Sequence, residues 1–442
     1  MQRPAATWFG HPRGMFLVAL TEFWERFSYW GLAAVLVLFL TADAQSGGWH
    51  WSDADALRLY GTYAGLGFIL PALGAWLVNT VMSERRAVLW GGLIIMSGHL
   101  LLATSPLLQV SVRTTAFMSG LLLILSGTAL LKPSISSLVA RLYPEGGARL
   151  DEGFSYFFVA IYIGALLGGV TVGYLGERVG WHQAFSAAAL GMLLGLAAYL
   201  ARQREWLQDI GTTISRPAQT QAAPLNASER QRLRVIGILG LFTALYSVGY
   251  YQMLGLLNLY AHKHVDRTLA GFQIPTTWLQ TTSVWAFLLF APVLSLLWRR
   301  LEATGRNPSA CYKLALGMLA LTVGYLTLAA IEHFAADASP AWPWVIVAYL
   351  FFGLGDALVW APQIALTSKL APARYSVLLI GGWYIFMGIG AWLAGYVGMW
   401  VQGIAFTTVF GSFSAACLTV ALVIATLTPT LRRWMHGAEQ DR

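Results

Sequence analysis

Apolar runs long enough to cross a bilayer recur along the whole chain, and no other feature narrows the choice of folds as much. They lie near residues 15–40, 57–81, 87–104, 114–141, 153–176, 183–201, 233–261, 276–298, 310–331, 342–370, 376–401 and 404–428. Each comes close to the roughly 20 residues with which a helix spans the hydrocarbon core. At that depth no water is present to satisfy backbone N–H and C=O groups, so each run must close its own hydrogen bonds as a helix. The expected fold class is therefore an all-α integral membrane protein of about twelve helices. Composition agrees, since 57% of residues are hydrophobic and only 11% charged, far from a soluble domain.

One long polar connection, 202–232, carries Arg202, Arg204, Arg216, Arg230 and Arg232 among Pro, Gln, Ser and Thr. It reads as a cytoplasmic linker between six-helix bundles at 1–201 and 233–430, with a cytoplasmic tail at 431–442. A six-plus-six arrangement is the major facilitator pattern. The net charge of +8 sits in short loops, which points to membrane orientation and not to nucleic acid. Alternate loops hold Arg85-Arg86, Arg141 with Arg149, the linker arginines, Arg299-Arg300 with Arg306, and Lys369 with Arg374. Those loops and both termini are expected on the cytoplasmic side of a plasma membrane, bacterial inner membrane in type. Cys311 and Cys417 lie in or beside apolar runs, so the expected role of both is packing, not a disulfide framework.

Inside the first run stands Thr21-Glu22-Phe23-Trp24-Glu25-Arg26-Phe27-Ser28-Tyr29-Trp30-Gly31. Ionisable groups at the bilayer centre cost roughly 2.5–3.5 kcal/mol each, so they face a polar cavity and mark a substrate, ion or proton path. Glu22, Glu25, Arg26 and Tyr29 fall at i, i+3, i+4 and i+7, on one helical face. Two further charges lie deep: Lys132 beside Pro133 in the fourth run, and Asp356 in Gly353-Leu354-Gly355-Asp356 of the tenth. Lone charges on separate helices need partners, and a Lys132–Asp356 contact that forms and breaks would be both gate and ligand site. Counted together, the carboxylates of Glu22, Glu25 and Asp356 outnumber the cations Arg26 and Lys132 by one. The unmatched acid is a candidate proton carrier; Glu22 or Glu25 is expected, on the ground that Arg26 cannot neutralise both.

His99, in the third run, reads as a hydrogen-bonded structural histidine more readily than as a proton relay. His262, His264 and Asp266 read as a solvated helix end, with no metal expected. Trp30 and Trp383 lie inside spans, near the charged stripe and a Gly-rich break respectively, and join the substrate-binding candidates. No G-x-x-x-x-G-K-[ST] loop and no nucleophile motif at the charged stripe occurs, so transport is expected to be secondary and the protein not an enzyme.

The charged stretch resembles the E-x-x-E-R-F-x-Y-Y-G signature of the proton-dependent oligopeptide transporter family, a branch of the major facilitator superfamily, with Trp30 for the second Tyr. Similar matches are His11-Pro12-Arg13-Gly14, Leu131-Lys132-Pro133-Ser134, Phe154-Ser155-Tyr156-Phe157, Asn258-Leu259-Tyr260-Ala261 and Ser368-Lys369-Leu370-Ala371-Pro372, so the likeness covers nearly the whole chain. It implies proton-coupled uptake of di- and tripeptides, or of small peptide-like zwitterions, by alternating access. Protons are the coupling ion, no other cofactor is needed, and the partners are substrate, protons and lipid bilayer. Glu22, Glu25 and Arg26 would couple protons, Arg26 and Lys132 would hold the peptide carboxylate, and Asp356 the amine. Lys132, Asp356 and Asp266 would serve as gates. Rival expectations are proton-coupled export of a peptide-like metabolite and a non-transporting sensor with the same fold.

The likeness breaks at the site. Ala33 stands where the family has the Arg that pairs with the acid at Asp266, leaving Arg58, Lys263 or Arg267 as substitutes. The tenth-span acid is Asp356 instead of Glu, Tyr162 and Ser283 replace two Asn, Phe68 replaces a pocket Tyr, and Trp360 replaces a Ser four residues after Asp356. Such exchanges trade hydrogen-bonding groups for bulk or apolar surface and predict an altered peptide specificity.

Overall fold

The structure, a computed structural model, describes residues 7–214, 225–335 and 338–438. Residues 215–224 of the expected linker and 439–442 of the tail lie outside the described residues. Among the described residues thirteen α-helices occur in order: α1 Arg13–Thr41, α2 Asp53–Val81, α3 Glu84–Thr104, α4 Val110–Arg141, α5 Gly147–Arg178, α6 Trp181–Trp206, α7 Ala227–Tyr250, α8 Leu256–His264, α9 Thr276–Ala303, α10 Ala310–Ala335, α11 Trp342–Leu370, α12 Ser376–Trp400 and α13 Phe406–Trp434. Counting α7 with α8 as one, twelve helical spans among the described residues are long and apolar enough to cross a membrane. Two short hairpins, β1 Thr7–Trp8 with β2 His11–Pro12 and β3 Thr268–Leu269 with β4 Phe272–Gln273, and a few 3-10 turns accompany them.

The run at 233–261, read as one helix, is broken. It leaves α-helical geometry after Tyr250, passes through a 3-10 turn at Tyr251–Leu254, and resumes as α8 after Gly255 at φ −108°, ψ −101°. A side chain at Gly255 would meet the Tyr60 ring at 3.0 Å. The carbonyls freed by the break find new donors. Tyr325 Oη donates to Gly249 O at 2.6 Å, Tyr60 Oη to Tyr251 O at 2.9 Å and Tyr349 Oη to Met253 O at 3.4 Å. Three fully buried tyrosines thus do what water cannot do at this depth.

The chain divides into two compact units, Met1–His50 with Ile69–Ala218 and Trp51–Phe68 with Gln219–Arg442. Residues 51–68 of α2 group with the second unit, together with the residues that follow the linker. The cause is close backbone packing. Gly61 faces Trp392 O and Gly395, and Gly65 faces Gly388 O, with added Cβ atoms at 2.7 to 2.8 Å. Helices in lipid gain from such small-residue seams because backbones approach closely. In the first unit Gly164 and Gly168 of α5 do the same against the carbonyls of Phe23 and Phe27 on α1. That seam fixes the rotation of α1, and so the face its charges present.

Candidate functional site

The charged stripe of α1 is wholly buried in the first unit: Glu22 is 1%, Glu25 0% and Arg26 3% exposed. Arg26 bridges both acids. Its Nε lies 3.2 Å from Glu22 Oε1, one helical turn back, and the guanidinium also pairs with the neighbouring Glu25 carboxylate. Thr128 of α4 donates from Oγ1 to Glu25 Oε1 at 3.2 Å. The guanidinium also lies 5.0 Å from the Tyr29 ring centroid, a cation–π arrangement that holds its plane. Lys132, half-buried one turn along α4 from Thr128, is close enough to interact electrostatically with Glu22, Glu25 and Arg26. One guanidinium thus bridges both acids, though its single charge balances only one of them. Arg26 contacts both, and Lys132 supplies a second positive charge to the same cluster.

One valence in the cluster is open. Glu22 Oε2 is buried with no hydrogen-bond partner among the described residues. Carboxylate oxygens in that condition cost free energy unless a proton or a ligand donor reaches them.

In the second unit Asp356 of α11 is 5% exposed and lies beside the Tyr250 hydroxyl, close enough to interact with it electrostatically, with Ser283 near the same hydroxyl. Ser283 of α9 is fully buried and donates to Gln280 O at 2.9 Å. Tyr250 is the last residue of α7 before the break, so the unwound turn aims the tyrosine that addresses the acid. Phe68 packs on Tyr251 with centroids 5.4 Å apart. Trp383 of α12 lies against Trp360 and Tyr384 at 5.4 and 5.3 Å. Asp356, Tyr250, Trp360 and Trp383 line one small, nearly filled cavity of about 10 Å³.

Of the sequence candidates, Glu22, Glu25, Arg26 and Lys132 come together in the first unit. Trp30, half-buried, packs at 5.8 Å on Tyr29, and Tyr162 of α5 is half-buried in the same unit. Asp356, Ser283, Phe68 and Trp383 belong to the second unit. Asp266 accepts from the Thr268 amide at 3.0 Å and anchors the β3–β4 hairpin. Its expected substitute partners point elsewhere: Lys263 pairs with Asp53 at 2.6 Å, Arg58 with Asp55 at 3.1 Å, and Arg267 donates to Ile274 O at 2.6 Å. His262 meets Thr276 Oγ1 at 3.1 Å, whereas His264 stacks on Tyr260 and meets Phe406 edge-on. His99 is fully buried, and neither ring nitrogen has a hydrogen-bond partner among the described residues, which corrects the expectation of a bonded structural histidine.

Thr128 and Tyr250 were missed. Thr128 was legible, because it sits four residues before Lys132 on one helical face. Tyr250 was not, since its role depends on a helix break whose hydroxyl donors come from α2, α10 and α11.

Comparison with known proteins gives this geometry a lineage. A family model described as the POT family matches residues 85–215 and 207–413. The chain is similar to the uncharacterized transporter YclF of Bacillus subtilis, 28% identical with 98% of this chain and 97% of that one covered. It is equally similar to the peptide transporter YePEPT of Yersinia enterocolitica, 28% identical over 98% and 97%. The di-/tripeptide transporter of Lactococcus lactis is 26% identical, with 87% of this chain and 88% of that one covered. Among solved structures, the peptide transporter POT in complex with sulfate superposes with a TM-score of 0.91 at 27% identity, covering 98% of this chain and 97% of that one. A mutant of a peptide transporter POT in complex with alafosfalin gives 0.91 at 28%, with the same shares of each chain covered. The chain is thus a multi-pass membrane protein of the major facilitator fold, a transporter and not an enzyme, and it belongs to the POT family.

Proposed function

We propose that this transporter takes up di- or tripeptides, or small peptide-like zwitterions, together with protons, by exposing its site alternately to the two sides of the membrane. The observation that carries the reading is the buried Glu22–Arg26–Glu25 bridge with Lys132 beside it. Two acids and two bases balance when the site is empty. A substrate carboxylate that draws Arg26 or Lys132 to itself leaves an acid without its cation in a desolvated site, and a proton then restores neutrality. Binding of substrate and uptake of a proton are coupled by charge alone. Asp356, with the Tyr250 hydroxyl beside it, takes the substrate ammonium. Protons are the coupling ion, and the residues named supply the rest without a further cofactor.

Relatives named as peptide or di-/tripeptide transporters support this substrate class, as does the alafosfalin-bound neighbour. The chain's place is a bacterial inner membrane, with lipid around its apolar faces and both termini on the cytoplasmic side, as the loop arginines imply.

The test is uptake of labelled di-alanine into proteoliposomes under an inward proton gradient. Wild type accumulates it, and Glu25→Gln loses gradient-driven accumulation but still exchanges labelled for unlabelled peptide across the membrane. Folded, inserted wild type that moves neither di- nor tri-alanine would overturn the reading, and inverted vesicles would then be examined for export.

A further inference from the structure

The walls of the Asp356 cavity hold one residue that the transport cycle does not need. Asp356 and Trp360 lie four residues apart on α11 and so share a face. The Trp360 ring is edge-on to Trp383, with centroids at 5.4 Å and planes at 71°, and to Tyr384 at 6.0 Å and 68°. Trp383 and Tyr384 meet each other at 5.3 Å and 81°. Three mutually edge-on rings form a wall in which no ring can turn without displacing the others. Thr243, Tyr246 and Tyr250 of α7 close the opposite side. The space these walls leave beside Asp356 is about 10 Å³, room for little more than a water, so each added carbon on a substrate's first residue must be accommodated against the rings. The wall also carries a ligand mark: the Trp383 indole N–H is buried, on a residue 3% exposed, with no hydrogen-bond partner among the described residues.

We propose that Trp360 is the specificity-determining residue of this carrier, limiting the first residue of the substrate to a small side chain while its ammonium lies at Asp356. Trp383 N–H donates to the carbonyl that follows that residue. The inference rests on the peptide reading above and names its substrate class: peptides beginning with Gly, Ala or Ser, with larger side chains accepted only further along. An indole at position 360 removes volume that a small polar side chain would leave open, and close-packed aromatic walls do not yield to an added ring.

The experiment is competition against labelled di-alanine uptake in proteoliposomes by Ala-Phe and Phe-Ala, which share composition and charge. In wild type Ala-Phe competes at least about tenfold better than Phe-Ala. Trp360→Ser narrows that ratio about tenfold or more by admitting Phe-Ala, and Trp360→Leu, kept as the less drastic variant, narrows it in part. Trp383→Phe weakens both competitors alike and leaves the ratio in place. Equal competition by the two peptides in wild type, or a ratio that stays put in folded Trp360 variants, overturns the inference while the peptide reading survives. Absence of any di-alanine uptake overturns both.

Discussion

A hydroxyl at the right place changes what a short acid can do. Asp356 reaches one methylene less far than the Glu of its family, and the Tyr250 hydroxyl beside its carboxylate offers a donor that can orient what remains. Hydrogen bonds to charged groups contribute about 1.5–3 kcal/mol. Tyr250→Phe is therefore expected to raise the KM for di-alanine about tenfold or more with kcat largely kept, measured by initial rates of proton-driven uptake. On the other acid cluster, Thr128 acts through Glu25, to which it donates at 3.2 Å. Thr128→Val is expected to lower gradient-driven uptake several-fold and to shift its pH profile, while peptide exchange, which needs no net proton movement, is much less affected. Equal loss of both activities would make Thr128 a packing residue.

At the scale of elements, the break between α7 and α8 is held open by tyrosine hydroxyls, not by sequence breakers alone. Tyr60→Phe leaves Tyr251 O without its 2.9 Å donor, and an orphaned buried carbonyl costs about 1–3 kcal/mol. A lower Tm in detergent is expected, with Tyr60→Phe and Tyr349→Phe not adding independently because both support one turn. The β3–β4 hairpin has a different kind of support. Hydrogen bonds from Thr268, the backbone N–H foremost, hold the Asp266 carboxyl below its usual range. A depressed folded-state pKa means that this support is complete above the ordinary carboxylate value and fades as pH falls through the lowered one. Asp266→Ala is expected to speed hydrogen exchange at the Thr268 amide near neutral pH. The difference from wild type should vanish in acid.

The whole molecule carries its orientation in the loops. On the proposed orientation, with both termini cytoplasmic, the segment after α1 would face outward and the α9–α10 connection inward. Cys311 and Cys417 are buried, so the native thiols give a low background. An impermeant thiol reagent applied to intact cells is expected to label Ser46→Cys, and to label Thr304→Cys only after permeabilisation. The reverse pattern would invert the topology.

Sequence alone determined the number of spans, their approximate ends and the burial of Glu22, Glu25 and Arg26, because hydropathy and helical spacing are local properties that the bilayer enforces everywhere in the same way. It also made Lys132 and Asp356 legible as sites, since a charge in an apolar run is costly wherever the run ends up. Tertiary structure alone decided who meets whom. That Thr128 and Lys132 of α4 reach the Glu22–Arg26–Glu25 cluster depends on the rotation of α1, set by Gly164 and Gly168 of α5. That α7 stops at Tyr250 depends on hydroxyls from α2, α10 and α11, and that residues 51–68 group with the second unit depends on glycine contacts with α12. Each is a contact between residues far apart in the chain, whose energy comes from close approach and from satisfying buried polar groups. No window of sequence contains both partners.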